Sequence, residues 1–128
     1  MDAGKLGFKP DSVIQELGWD EDADEELRTA IETHTGHAMV DGDIGEVVDG
    51  VILWWREEDG DLTDALVDAL QDVDEGGFVW LLTPKVGREG HVSGADIGEA
   101  APIAGLSITT TSAVGPNWVA TKLGTHKR

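Results

Sequence analysis

Apolar runs of strand length, separated by segments with helical periodicity, constrain the fold of this chain more than any other feature. The longest run, residues 47–55, is interrupted only by Asp49 and Gly50, and continuous runs of this kind are typical of strands covered on both faces. Shorter runs at residues 13–17 and 78–82 indicate two further strands. Because helical segments connect these runs, we expect parallel strands, with residues 47–55 at the centre of the sheet.

Two helical segments are marked by their first and last residues as well as by their periodicity. Asp22 and the glutamate three positions later form a capping box, and Gly36 follows the last apolar position of that helix. Asp61 begins a second helix, in which the apolar positions keep the helical period and the aspartates face away from them. Gly76 and Gly77 are predicted to end this second helix.

The last third of the chain predicts a short helix and a β-hairpin. Ser93 caps a helix that Pro102 keeps short or kinked. Two β-rich runs, residues 106–114 and 118–123, are joined by a Gly-Pro-Asn turn that is typical of a hairpin at a sheet edge. With a weak strand at residues 37–40, these elements predict a Rossmann-like α/β fold: a mostly parallel sheet of five or six strands with a C-terminal antiparallel hairpin.

The tryptophans are assigned mainly to the core. Trp54 and Trp55 are adjacent in a predicted strand, so their side chains must point to opposite faces of the sheet. One is expected in the core, while the other covers the opposite face or lines a cleft. Trp80 is predicted to be core, and Trp118 is predicted to anchor the hairpin.

The length of 128 residues indicates one domain. We expect a flexible N-terminus at residues 1–8, a single α/β domain at residues 9–123 and a flexible C-terminus at residues 124–128. The chain has no cysteine, which excludes disulfides and thiolate chemistry. No apolar stretch approaches the roughly 18 residues that cross a bilayer, and no signal-peptide core follows the first charges, so we expect a cytoplasmic protein without a membrane partner.

The formal charge of −17 is concentrated in the first half of the chain. Positions 15–75 hold 21 acidic residues and two basic ones, Arg28 and Arg56, whereas from position 76 onward three acids face five bases. This field repels phosphate backbones, so we expect no nucleic-acid partner. The acidic half is interpreted either as a docking surface for a basic protein or as a solvated surface kept for solubility or for high salt.

If the acidic half docks a basic partner, the two acidic helices are expected to carry the contact. Their carboxylates repeat on the faces opposite the apolar positions. The candidate partner-binding residues are Asp22, Asp24, Glu25, Asp64, Asp68 and Asp72. The sequence leaves the oligomeric state open.

The carboxyl ends of three predicted strands indicate a second candidate site, because ligands of open α/β sheets bind outside these ends. Basic and aromatic side chains there suit a small anion. The candidates are Gly18, Trp19, Asp20, Trp55, Arg56, Lys85, Arg88 and His91. The alternative is that Arg56 pairs with neighbouring Glu57 or Asp59. In that case Lys85 and Arg88 only neutralise the acidic residues around the strand ends.

A metal site is not predicted. Two histidines and two aspartates occur close together in the chain, but a helix-ending glycine lies between the histidines. Their spacing matches no established ligand pattern. The residues are His34, His37, Asp41 and Asp43.

The stretch from residue 47 through Ala104-Gly105-Leu106 to the closing hairpin resembles the C-terminal half of a class I methyltransferase. Nearly the whole chain is also similar to a conserved actinobacterial family of unknown function (domain of unknown function three-zero-five-two). The segments that carry this second resemblance are residues 5–7, 15–20, 53–56, 80–85 and 100–102. The resemblances imply a methyltransferase-like architecture and a bacterial cytosolic home, and the family brings no established activity.

The turn after the first predicted strand differs from that of a cofactor-using methyltransferase. Such enzymes have a glycine-rich turn there, which lets S-adenosylmethionine (SAM) approach the backbone. Here Gly18 is followed by Trp19 and by three acids within residues 20–22. The crowding and the negative charge disfavour nucleotide phosphates, whereas SAM carries a cationic sulfonium and no phosphate. We therefore expect no bound cofactor.

No reaction is identified by these residues, and two functional hypotheses are kept. The first is a non-catalytic methyltransferase-like scaffold, a regulatory or adaptor protein that binds a basic partner. The second is a small-ligand binder or a SAM-dependent methyltransferase that uses the carboxyl-end cleft of the sheet.

Overall fold

Strands and helices alternate along most of the chain, as the sequence predicts. A computed structural model describes residues 7–41 and 46–125. No helix in these residues has the length and apolarity that a membrane-spanning segment requires. The elements are β1 (Ile14–Leu17), α1 (Glu25–Thr35), β2 (Val48–Trp54), α2 (Leu62–Ala69), β3 (Val73–Pro84), α3 (Gly94–Ile103), β4 (Leu106–Val114) and β5 (Trp118–Thr125).

The five strands form one sheet in the order β1-β2-β3-β5-β4. The pairs β1–β2 and β2–β3 are parallel, and β5 runs antiparallel to both of its neighbours. The predicted strand at residues 37–40 is reduced to one parallel bridge between Val40 and Gln15, on the free side of β1. The mostly parallel sheet with a C-terminal antiparallel hairpin is therefore confirmed.

The two faces of the sheet carry separate apolar cores. Alternation along β2 sends Trp54 to the face covered by α1 and Leu53 to the face covered by α2 and α3. Trp54 and Trp80 are fully buried, whereas Trp55 is only partly buried and packs against the α2–α3 side. The expectation that adjacent tryptophans point to opposite faces is confirmed.

All three helices begin at a side chain that caps the free backbone N–H groups. Asp61 and Ser93 cap α2 and α3 as predicted, each accepting a hydrogen bond of 3.1 Å from a backbone N–H three positions on. The predicted cap of α1 is wrong by two residues. Asp24, not Asp22, accepts the hydrogen bond from the backbone of Leu27, at 3.0 Å.

The prediction that Gly76 and Gly77 end α2 is wrong. The helix ends at Ala69, and both glycines lie inside β3. A Cβ on Gly77 would lie 2.7 Å from the carbonyl oxygen of Asp49, where the register between β2 and β3 shifts. The glycine therefore permits a close approach of two strands, a need that local sequence does not reveal.

Residues near both ends of the described chain take part in the fold. Phe8 is 5% exposed, and its ring stacks on that of Phe78 at a centroid distance of 5.2 Å. At the other end, β5 continues to Thr125. Residues 1–6, 42–45 and 126–128, which include Asp43, lie outside the described residues.

Candidate functional site

The chain order reverses between β1 and β2. From β1 the chain passes through α1 to Val40 on one side of β1, and it then returns to β2 on the other side. In open α/β sheets, ligands bind in the crevice outside the carboxyl ends of the two strands at such a point. We call the space beyond Leu17 and Trp54, the last residues of β1 and β2, the switch-point crevice.

Arg56 lies across the switch-point crevice. Its Nη1 donates to the carbonyl oxygen of Gly18 at 2.7 Å and to that of Trp54 at 3.4 Å, so one guanidinium nitrogen links the ends of both strands. Its Nε and Nη2 donate to the two carboxylate oxygens of Asp22. Only 8% of Arg56 is exposed.

The charge of Arg56 is compensated from both sides. Burial opposes the charge, but the hydrogen bonds and charge of Asp22, together with Asp59, raise the pKa of Arg56. Asp59 contributes an ion pair at 3.5 Å and accepts a hydrogen bond of 3.0 Å from the backbone N–H of Arg56. The predicted pairing with Asp59 is thus present, although Asp22 is the main partner.

Two tryptophans form the wall behind Arg56. The guanidinium carbon lies 5.4 Å from the ring centroid of Trp118, at the start of β5. Trp118 meets Trp54 edge to face at 4.9 Å, and its indole N–H donates to the carbonyl oxygen of Asp22 at 3.0 Å. Trp118 therefore does more than anchor the hairpin, because it also packs against the crevice and its ion pair.

A second, partly buried ion pair lies beside the crevice. The carboxylate of Glu16 accepts two hydrogen bonds from Arg28, at 2.6 and 2.8 Å, and one from the indole of Trp54, at 2.9 Å. The hydrogen bond to Glu16 is the main reason why the pKa of Arg28 is raised. Glu16 and Arg28 were not among the predicted site residues. Their one signal in the sequence was that Arg28 is a lone base within an acidic helix.

The turn after β1 leaves no room for a side chain at Gly18. Gly18 has a φ of +74°, and a Cβ there would lie 2.2 Å from the carbonyl oxygen of Trp54. Trp19 is half exposed; its indole donates to Glu25 at 3.3 Å, and Arg28 lies 5.7 Å from its ring centroid. These hydrogen bonds, from Trp19 and then Arg28, lower the pKa of Glu25. Asp20 is exposed at the same turn.

Two other predicted ligand-site residues have backbone carbonyl groups as partners. Lys85 donates to the carbonyl oxygen of Gly115 at 3.0 Å. The Nδ1 atom of His91 lies 2.9 Å from the carbonyl oxygen of Pro84. Arg88 is exposed, and no side-chain partner occurs for it among the described residues. Trp55 points to the opposite face of the sheet.

The six predicted partner-binding acids have three kinds of environment. Asp22, Asp24 and Glu25 have internal roles, since they hold Arg56, cap α1 and accept from Trp19. Asp64 and Asp68 are exposed on α2. Asp72 lies beyond the helix, half buried, and accepts a long hydrogen bond of 3.5 Å from Gln15. These positions leave the outer side of α2 as the more accessible part of the predicted surface.

The histidines considered for a metal site have other contacts. His34 lies 2.7 Å from the carbonyl oxygen of Phe8, and His37 lies 3.5 Å from a carboxylate oxygen of Asp11. Across residues 7–41 and 46–125, no three His, Asp or Glu side chains gather in a group that could hold a metal ion.

Residues 3–127 match a family described as "Protein of unknown function (DUF3052)". Two mycobacterial relatives are uncharacterized protein Rv2239c of Mycobacterium tuberculosis and uncharacterized protein Mb2263c of Mycobacterium bovis. Each is 51% identical over 121 residues, which cover 94% of this chain and 76% of the relative.

The fold is similar to that of solved methyltransferases. A SAM-dependent methyltransferase from Aquifex aeolicus superposes with a TM-score of 0.64 at 14% identity, over 96% of this chain and 89% of that one. Magnesium protoporphyrin IX methyltransferase from Synechocystis PCC 6803, with bound SAM, gives 0.59 at 13% identity, over 97% and 74%. At these identities the likeness shows the fold alone.

The residues at the switch-point crevice do not fit SAM as they lie. The guanidinium of Arg56 takes up the space between the two strand ends and is held there by hydrogen bonds from both sides. The turn above it has a single glycine, which is already in contact with the neighbouring strand, and the bulky Trp19 follows. Arg56 thus lies at the strand ends outside which this type of sheet binds its ligand.

Proposed function

Because the chain belongs to the DUF3052 family of unknown function and has a methyltransferase-like fold, we propose that it is a non-catalytic scaffold that works as a regulatory or adaptor protein for a basic protein partner. The position of Arg56 is the observation that carries this proposal. An arginine that bridges the ends of β1 and β2 fills the place where this type of sheet holds its ligand.

The charge distribution supports a basic protein as the partner. The outer side of α2 presents Asp64 and Asp68 to solvent, and no Lys, Arg or His side chain pairs with either of them in the described structure. Both bases within positions 15–75 are instead used internally, Arg28 by Glu16 and Arg56 by Asp22. The acidic surface therefore keeps its charge for an external cation, with an association that weakens as salt rises.

The competing function is SAM-dependent methyl transfer, or another use of a small ligand at the switch-point crevice. The likeness to methyltransferase structures favours it. This function would require Arg56 to exchange Asp22 and the Gly18 carbonyl for other partners each time a ligand bound.

We predict that SAM and S-adenosylhomocysteine leave the thermal stability of the protein unchanged. A ligand at about 100 times its Kd adds about 2.7 kcal/mol of apparent stability, so binding at such a concentration would raise the melting temperature measurably. Differential scanning fluorimetry followed by isothermal titration calorimetry provides the measurement. The Aquifex aeolicus methyltransferase, which shares the fold, serves as the positive control. A saturable heat signal with this protein would reverse the proposal in favour of methyl transfer.

We also predict that a protein rich in lysine or arginine co-purifies with this chain from its native cells, and that the pair of substitutions Asp64→Asn and Asp68→Asn reduces its recovery. Capture at about 50 mM and about 500 mM NaCl, with mass spectrometry, measures both effects, because the Debye length falls severalfold between them. The matched control is Glu46→Gln with Glu89→Gln, two exposed carboxylates outside the helices. Equal recovery of the same proteins by both double variants would count against an acidic docking surface.

A further inference from the structure

A groove lies on the other face of the sheet from the switch-point crevice, between the start of α2 and one side of α3. Its volume is about 330 Å³. Apolar side chains form one wall of it. They include Trp55 and Leu62, which are partly buried, and Ile103. We call this space the α2–α3 groove.

The apolar wall of the groove is open to solvent. Ile103, the last residue of α3, is 73% exposed. Trp55 is held in place through its backbone N–H, which donates to the carbonyl oxygen of Leu82 at 2.8 Å. The groove thus presents an exposed apolar side chain next to an aromatic ring on a rigid strand end.

Every charged side chain that lines the groove in the described structure is acidic. Four carboxylates line it, and no Lys, Arg or His side chain does so among the described residues. Asp61 caps α2, whereas the other three have neither a side-chain hydrogen bond nor an ion pair within the described chain. The four rim residues are Glu57, Asp61, Asp96 and Glu99.

We propose that the α2–α3 groove binds a basic segment of a partner protein. The cationic group of a lysine or arginine of that segment lies between the rim carboxylates. The stem of the same side chain, or an apolar neighbour, covers Trp55 and Ile103. This assignment rests on the proposed adaptor function and names its anchoring site. The long stems of lysine and arginine cover apolar surface while their charged heads stay at a polar rim, and cations are attracted to the face of an indole.

Other occupants fit the groove less well. The negative rim repels phosphates and therefore nucleic acid. A second copy of this chain would bring another −17 formal charge to the same place. A free organic cation such as a polyamine would satisfy the carboxylates but would leave the exposed Ile103 without cover.

The test is a titration of the ¹⁵N-labelled protein with a synthetic peptide of alternating lysine and leucine, followed by NMR. We expect shifts of the Trp55 indole and of the amides of Leu62 and Ile103, and no such shifts with a peptide of alternating glutamate and leucine. Spermidine serves as the probe for a free cation. If spermidine binds at least as tightly as the basic peptide, the assignment to a protein segment is wrong.

Three variants test the location. Glu57→Gln with Glu99→Gln removes two rim charges and is expected to weaken peptide binding about tenfold, whereas Glu46→Gln with Glu89→Gln removes the same charge from exposed positions outside the groove and is expected to change it less than about twofold. Ile103→Ser, at an exposed position that tolerates a polar residue, should also weaken binding. Retained ¹⁵N–¹H spectra outside the groove confirm that each variant is folded.

The outcomes separate this inference from the proposed function. Equal weakening by the two double variants, or a peptide that shifts no groove signal, overturns the groove as the site. The adaptor function survives that result if the partner captured from cells is still lost with Asp64→Asn and Asp68→Asn. It fails independently if SAM binds, whatever the peptide does.

Discussion

The substitution Gly18→Ala is expected to lower the free energy of unfolding by about 4 kcal/mol, because the added methyl group has no room. The new Cβ would lie 2.2 Å from the carbonyl oxygen of Trp54, so the ends of β1 and β2 must move apart. That movement also separates the two carbonyl oxygens that Arg56 joins. The left-handed backbone conformation alone, at a φ of +74°, accounts for only about 1–2 kcal/mol.

Gly36→Ala is the matched control for this change. Gly36 has a φ of +82° after α1, and no atom lies within 4 Å of the position that its Cβ would take. The control should therefore cost only the conformational part, about 1–2 kcal/mol. Urea unfolding followed by far-ultraviolet circular dichroism measures both variants. If both variants lost the same free energy of unfolding, the strand ends would relax around the new methyl group without cost. That result would contradict the tight packing of Gly18 against Trp54.

The substitution Arg56→Met is expected to lower the free energy of unfolding by about 2–3 kcal/mol. Methionine has a similar length but donates no hydrogen bond, so the carbonyl oxygen of Gly18 and the carboxylate of Asp22 lose a charged partner. The expected loss is below that of a fully buried pair, because the side chain of Asp22 is 54% exposed and regains contact with water.

Arg88→Met tests whether the loss is specific to the crevice. Arg88 is exposed, with no side-chain partner among residues 7–41 and 46–125, and its replacement should change the free energy of unfolding by less than about 0.5 kcal/mol. The two arginine variants carry the same change in net charge, so self-repulsion affects both alike. If Arg56→Met were as stable as Arg88→Met, the guanidinium would contribute nothing to holding the strand ends together, and the crevice would be open to other ligands at little cost.

The sheet could be predicted from the sequence because its strands and helices have strong local signals. The apolar run that became β2 has no competing interpretation, Asp61 precedes a helix with regular periodicity, and Ser93 has the local signature of a helix cap. The end of α2 lacked such a signal. Val73 continues the helical period, but it begins β3 instead, since the chain turns after Ala69. Pairing with Val48 in the sheet outweighs the local pattern.

The contacts of the crevice could not be predicted, because they join distant parts of the chain. Asp22 has the local signature of a helix cap, yet its carboxylate is taken by Arg56, which lies 34 positions further on, while Asp24 caps the helix. The strand order alone predicts that Gly18 and Arg56 lie at the same edge of the sheet, beyond the carboxyl ends of β1 and β2. The hydrogen bond between them depends on how the turn after β1 and the side chain of Arg56 pack in three dimensions, which the strand order does not specify.

The wall of the crevice can form only after β5 has taken its place between β3 and β4. Trp118, the first residue of β5, reaches the crevice and donates to Asp22, 96 positions earlier, so the wall behind Arg56 closes across most of the chain. Closing so long a loop carries a large entropic cost, and contacts of this kind are slow to form. During synthesis on the ribosome, we expect Arg56 to remain without its aromatic neighbour until the last strand has emerged.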